Sequence, residues 1–206
     1  MRLQALANYH SYHESIWDIG CDHGKLGLSF AENKAVKSIH LVDPSELVMS
    51  RLKQKLKDAY ITDQVLINTY QCKGQEVKLD SLNKIIFLAG MGGKEIRDIV
   101  LQLIPQMKQE DTLVLSPHRG IHELRSFLFR SELGLFEELV VSEDSQFYQI
   151  LCLKKSHLLP KIHPFGDLIW RGPIGEDYRQ HVLKSLKDHQ DVISQEYFSY
   201  LMNLSC

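Results

Sequence analysis

The sequence has 206 residues, 44% hydrophobic and 24% charged, the balance of one folded domain with room for a small appendage, and it excludes a disordered chain. A formal net charge of −2 argues against nucleic acid held by bulk charge, although a near-neutral chain can carry basic faces. The candidates are Arg51, Lys53, Lys55 and Lys57, and Lys154, Lys155, Lys161 and Arg171. No apolar run reaches membrane-spanning length and no signal-peptide core opens the chain, so a cytoplasmic protein without a membrane partner is expected. Cys21, Cys72, Cys152 and Cys206 are scattered with no CxxC pair, which predicts reduced thiols and no metal site.

Residues 2–9 read as a short helix with Leu3, Leu6 and Ala7 on one side. Residues 15–19 read as a strand, 23–33 as a helix and 39–42 as a strand ending at Asp43. Pro44 suits the first turn of the next helix, where Leu47, Val48, Leu52 and Leu56 recur at three- and four-residue steps. Residues 65–69 and the nearly all-apolar 84–88 are strands, the latter suited to burial on both faces. A helix over 94–107, a strand over 112–115 and a helix over 121–133 follow. Segments 138–141 and 147–153 then form a hairpin around 142–146.

This alternation predicts an α/β, Rossmann-like fold with a seven-stranded, mostly parallel sheet and an antiparallel terminal hairpin, the pattern of class I methyltransferases. It occupies residues 1–155. Residues 157–164 hold two prolines and two histidines and read as a linker. After a break at Gly172-Pro173, residues 176–201 show helical spacing, so 156–206 reads as a linker and C-terminal helical extension. Such helices either pack on their own sheet or grip a large substrate.

Two glycine turns carry the chemistry: Asp18-Ile19-Gly20-Cys21-Asp22-His23-Gly24 and Ala89-Gly90-Met91-Gly92-Gly93. Each follows a strand and opens a helix, where α/β sheets hold ligands. A dinucleotide fingerprint needs a glycine at position 22; an aspartate there repels a pyrophosphate. S-adenosylmethionine has no phosphate and carries a sulfonium and an α-amino group, which an acidic turn attracts. Asp18 is placed to hold the amino group through the turn, and Asp43 to accept from both ribose hydroxyls. The second turn has no polar side chain, so recognition there falls to its backbone.

The chain resembles the bacterial tRNA (adenine-22-N1)-methyltransferase family, in the two turns above, in Ser116-Pro117-His118 with Leu124-Arg125, and in Glu143-Asp144-x-x-Phe147-Tyr148. The resemblance runs from about Arg2 to the end. It implies S-adenosyl-L-methionine as cofactor, tRNA as partner, transfer to adenine N1 and a coiled-coil-like carboxy-terminal extension. It also marks Gly20, Cys21, Asp22, Gly24, Pro44, Lys73, Gly74, Ala89, Gly90 and Met91, with Asp18 and Asp43, as cofactor-binding positions. Lys73 stands where the family has an acid, Ser116-Pro117-His118 replaces Gln-Pro-Asn, and positions 25 and 27 are Lys and Gly instead of Tyr and Pro.

Adenine N1 has an in-plane lone pair and needs no deprotonation, so positioning and electrostatics are the enzyme's work. Asp22 stabilises charge developing on the base, or faces only the cofactor. His23 orients Asp22, accepts a proton from N6, or merely opens a helix. Backbone atoms of Gly90, Met91 and Gly92 hold the N6 amino group, and His118 and Arg119 face tRNA phosphate. A monomer or weak dimer is expected. The alternatives are a methyltransferase on another RNA or a small molecule, and a cofactor- or RNA-binding protein on a decayed methyltransferase fold.

Overall fold

The computed structural model describes residues 2–9, 12–58, 65–80, 82–187 and 191–204. Cys206 lies outside them. A seven-stranded sheet runs in the order β3-β2-β1-β4-β5-β7-β6. Its strands are β1 Ser15–Ile19, β2 Ser38–Val42, β3 Leu66–Tyr70, β4 Lys84–Ala89, β5 Thr112–Ser116, β6 Leu133–Glu143 and β7 Gln146–Lys155. The first five are parallel, whereas β7 is antiparallel to β5 and β6 antiparallel to β7. The helices are α1 Arg2–Ala7, α2 Lys25–Leu28, α3 Glu46–Asp58, α4 Gly93–Leu103, α5 Ile121–Phe129, α6 Gly172–Leu186 and α7 Val192–Met202.

Alternate side chains of the central strands feed a core on each face of the sheet. Ile86, Leu88, Leu113 and Leu115 point to the α4 side, where they meet Ile96, Ile99 and Val100. Ile85, Phe87 and Val114 point to the other face and meet Leu26, Phe30 and Met49. This two-sided burial is why 84–88 is an unbroken apolar run.

Besides shifts of a few residues at strand ends and α1, and besides Gly172-Pro173, which opens α6 and does not break the chain, the boundaries differ from the sequence reading in four places. Helix α2 has only four residues in place of 23–33. Beyond it the bonds tighten to three-residue spacing, with Ser29 N to Leu26 O, Phe30 N to Gly27 O and Asn33 N to Phe30 O, as Phe30 turns inward to stack on Phe87. Pro44 precedes α3 instead of sitting in its first turn; Ser45 caps the helix, its Oγ accepting from the Val48 N–H at 3.3 Å. Helix α4 stops at Leu103 and passes into a 3₁₀ turn over Ile104–Gln106 containing Pro105.

The fourth difference is at α5, which ends at Phe129, so residue 133 begins β6 and is not helical. The Ser131 hydroxyl donates to Leu128 O and accepts from Leu133 N, reversing the chain. Gly134 then admits the 156–160 segment, since a Cβ there would stand 2.5 Å from Leu159 Cβ.

The carboxy-terminal helices do pack on the sheet edge. Tyr178 and Val182 of α6 and Tyr197 and Leu201 of α7 join Trp170 and Val140 of β6 in a third apolar cluster. Below it lies a buried ionic knot. Arg125 donates to Glu138 Oε2 at 2.6 Å, Gln149 Oε1 at 2.8 Å and His163 O at 2.8 Å. Gln149 in turn donates to Tyr178 Oη at 2.9 Å. The 157–164 segment is therefore docked, with Ile162 fully buried. No helix among the described residues is long and apolar enough to cross a membrane.

Candidate active site

Strand order reverses between β1 and β4, and the two glycine turns follow these adjacent strands. Both lie at carboxyl ends, where a crevice opens in such sheets. The first turn is tied to β2: Gly20 N and Cys21 N both donate to Val42 O, at 2.8 and 3.0 Å. Its path needs left-handed backbone at Gly20 (φ 77°), Asp22 (φ 48°) and Gly24 (φ 66°), a conformation that glycine adopts freely and aspartate tolerates.

Asp18 is buried and accepts from the Gly27 N–H at 2.9 Å. Burial pushes its carboxyl up to about 6; the Gly27 N–H opposes this and the Asp43 charge adds to it. Burial, with Asp18 and Asp43 behind it, pushes the Cys21 thiol well up, so that group stays protonated. Asp43 closes the acid edge. Its Oδ2 accepts from Asp22 N at 3.3 Å and its Oδ1 from Ser45 N at 2.9 Å. Asp22 and His23 are exposed, with Nε2 of His23 3.5 Å from Oδ2 of Asp22.

The second turn is laced to the loop after β5. Gly90 N donates to Ser116 O at 3.2 Å, His118 N to Met91 O at 3.1 Å and Gly93 N to Arg119 O at 2.8 Å. His118 Nδ1 is 2.9 Å from Gly90 O, and since a carbonyl only accepts, Nδ1 carries the proton. Gly90 has φ 79° and nothing within 4 Å of a Cβ placed on it, so its outer side is open.

A cleft of about 290 Å³ lies between the turns. Of the residues singled out in the sequence, Asp18, Gly20, Cys21, Asp22, His23, Ala89 and Gly90 line it. The other anticipated residues stand outside it. Gly24 is buried beneath the turn against Leu52 and Leu41. Asp43 forms the margin through Asp22 N, and Pro44 is exposed beyond it. Gly74 is buried where a Cβ would meet Ile99 and Ile19 at 2.7 and 2.8 Å. Lys73 is exposed, its N–H bound to Glu76 Oε2 at 3.1 Å. Met91 turns its methyl onto Gly20, and Gly92 precedes α4 under Arg119. A larger hollow of about 560 Å³ on that side contains Gly92, Arg119 and Glu123 but none of Asp18, Asp22 and Asp43. The larger hollow has acids of its own, Glu95, Asp98 and Glu123, set among Lys94, Arg97 and Arg119, whereas the acids of the glycine turn belong to the smaller cleft.

Sequence reasoning missed Arg2 and gave Glu143 no role, yet both line the cleft. The Arg2 guanidinium donates to Ser116 Oγ at 3.1 Å and to Ser116 O at 2.5 Å, and it lies 4.4 Å above the Tyr148 ring. Its backbone N–H donates to Glu143 Oε1 at 3.2 Å. Glu143 was visible as part of a family-like motif; nothing in the pattern around Arg2 marks it.

Residues 1–151 match the family described as Methyltransferase domain. The chain belongs to that family. The tRNA (adenine(22)-N(1))-methyltransferase of Bacillus subtilis is 24% identical over 150 residues, covering 73% of this chain and 62% of that protein. The matched region is thus less than two thirds of that relative's length. Streptococcus pneumoniae Sp1610, solved in complex with S-adenosyl-L-methionine, superposes with a TM-score of 0.77 at 18% identity, covering 98% of this chain and 96% of that one. M. capricolum TrmK, solved with S-adenosyl-homocysteine, gives 0.74 at 18% identity, covering 98% and 94%. At these identities the structural likeness carries the fold, including the helices after residue 155.

Proposed function

We propose that this methyltransferase-domain protein is an S-adenosyl-L-methionine-dependent tRNA methyltransferase acting on N1 of adenine, at position 22 by its likeness to the Bacillus subtilis protein. One observation carries this reading most: an acid-edged cleft between two glycine turns, at the reversal point of a methyltransferase sheet. The residues fit the cofactor. Asp18, Asp22 and Asp43 suit a ligand with sulfonium and ammonium charges, and no phosphate-type turn competes. In this reading Asp18 holds the amino-acid end through the turn, Asp43 accepts from the ribose, and Lys73-Gly74 borders the adenine end.

When bound, the cofactor supplies an electrophilic methyl group. The chain's own residues position the base and balance charge. N1 lies on the pairing edge, so the base enters the cleft unpaired or flipped out. The Asp22 carboxylate stabilises the positive charge that develops on the adenine, and His23, 3.5 Å away, orients it. Leu3 and Leu6 of α1 wall the cleft with apolar surface and limit water. Residues 156–206 act as an appended unit that extends the tRNA surface, and the protein works in the cytoplasm as a monomer or weak dimer.

Bulk tRNA incubated with the protein and methyl-labelled S-adenosylmethionine, then digested to nucleosides, tests the reading. Label in 1-methyladenosine is the expected result. Label in another nucleoside, or none with a protein that binds the cofactor, rejects it.

A further inference from the structure

We infer that Glu143 is the specificity residue of the cleft, its carboxylate accepting a hydrogen bond from the 6-amino group of the target base. This rests on the adenine reading above and deepens it.

Adenine presents two groups on its pairing edge: N1, which attacks, and a 6-amino group, which donates. An acceptor beside the amino group both orients the ring and rejects bases with a 6-carbonyl. The glycine turn is poorly supplied for this. Gly90 O accepts from His118, Met91 O from the His118 N–H and Gly92 O from Ile96 N. Of the carboxylates, Asp18 is buried and bound to Gly27 N, and Asp22 stands on the first turn beside His23. Glu143 alone among the cleft's carboxylates comes from the opposite side of the sheet. The strand order is β1-β4-β5-β7-β6, so Gly90, after β4, lies between the first turn and the hairpin that carries Glu143.

Its placement is fixed from three directions. Glu143 pairs with Gln146 across a two-residue hairpin loop, with φ 50° at Asp144 and 61° at Ser145, the left-handed pair that closes such a loop tightly. The Arg2 N–H holds Oε1. The same Arg2 guanidinium binds Ser116 O, which also accepts from Gly90 N. A chain of bonds, Glu143 to Arg2 to Ser116 to Gly90, therefore sets the spacing between the carboxylate and the turn on which the base would rest. A carboxylate only accepts, so it favours an amino group and repels a 6-carbonyl.

The test compares tRNA carrying adenosine at the methylated position with the same tRNA carrying purine riboside, which keeps N1 and lacks the amino group. Wild-type protein should methylate the adenosine tRNA faster by about tenfold or more, the worth of one hydrogen bond to a charged acceptor. Glu143→Ala should slow the adenosine tRNA far more than the purine-riboside tRNA, so that the ratio of the two rates falls toward one. Glu143→Gln keeps an acceptor oxygen and should fall between. An undiminished preference in Glu143→Ala overturns the inference, and so does an equal loss on both substrates. Should Glu143→Ala fail to fold, Glu143→Gln decides, and an unchanged ratio there overturns it. A wild-type protein that methylates no adenosine rejects the adenine reading itself, and Glu143's role with it.

Discussion

The Met91 side chain bridges the two glycine turns: its methyl occupies the space that a Cβ on Gly20 would need. Gly20 also has φ 77°. Gly20→Ala therefore meets one main penalty, a left-handed conformation costing about 1–2 kcal/mol, because the Met91 methyl ends a flexible side chain that can swing aside. Thermal melting should fall and cofactor affinity should drop. Met91→Ala in the same chain removes the contact but not the strain, so it should recover little of the loss. Full recovery in the double variant would show that backbone conformation at residue 20 is unimportant.

Asp43 serves two backbone N–H groups, of Asp22 and Ser45, while standing at the cleft margin. Asp43→Ala should weaken S-adenosylmethionine binding by at least about tenfold, since bonds to a charged acceptor are worth about 1.5–3 kcal/mol each. Losing the bond to Ser45 N should also lower stability somewhat. Asp43→Asn keeps one acceptor oxygen for two N–H groups, so it should retain only part of the stability while still binding the cofactor more weakly. Calorimetry on both variants separates the two roles; unchanged affinity removes Asp43 from the site.

The strands and glycine turns were legible because their cause is local. An apolar run such as 84–88 states its burial, and a glycine turn after a strand states its place. What stayed hidden depends on partners far along the chain. Arg2 meets Ser116 across 114 positions, and nothing near residue 2 announces it. Gly74 matched a family position for the cofactor, yet its immediate reason for being glycine is the approach of Ile19 and Ile99. The extent of β6 was missed because the sequence reading ends a helix at 133 and begins the strand only at 138, before Gly134 is seen to receive the 156–160 segment. The docking of the carboxy-terminal helices was hidden too, because it runs through Gln149 to Arg125, whose burial against Glu138 no periodicity reports.

That ion pair has a measurable consequence. Arg125 and Glu138 are both fully buried, and Glu138 also accepts from Asp167 N and Leu168 N. Glu138→Ala strands a buried guanidinium and leaves three N–H groups, of Asp167, Leu168 and Ile169, without their carboxylate. A loss of about 3–5 kcal/mol in urea unfolding is expected, the usual cost of removing one partner of a buried pair. Arg125→Met with Glu138→Leu should be milder than Glu138→Ala, because no charge is left behind. A Glu138→Ala protein as stable as wild type would mean water reaches Arg125.

In the proposed reading, Asp18 makes cofactor binding depend on pH. Its folded-state pKa of about 6 lies above the ordinary 3.8, chiefly through burial. A raised carboxyl favours the folded apo-protein at low pH, and that contribution is lost as pH climbs from about 4 through 6. Binding runs the other way, because a cationic ligand needs the ionised form. Cys21 remains neutral across this window, its thiol pushed up by burial. At pH 5 only about a tenth of Asp18 is ionised, so affinity should be about tenfold weaker than at pH 7. Asp18→Asn should bind weakly and flatten the curve between these limits. Calorimetry at pH 5, 6 and 7 on both proteins checks this, and a slope that survives in Asp18→Asn assigns the titration to another group.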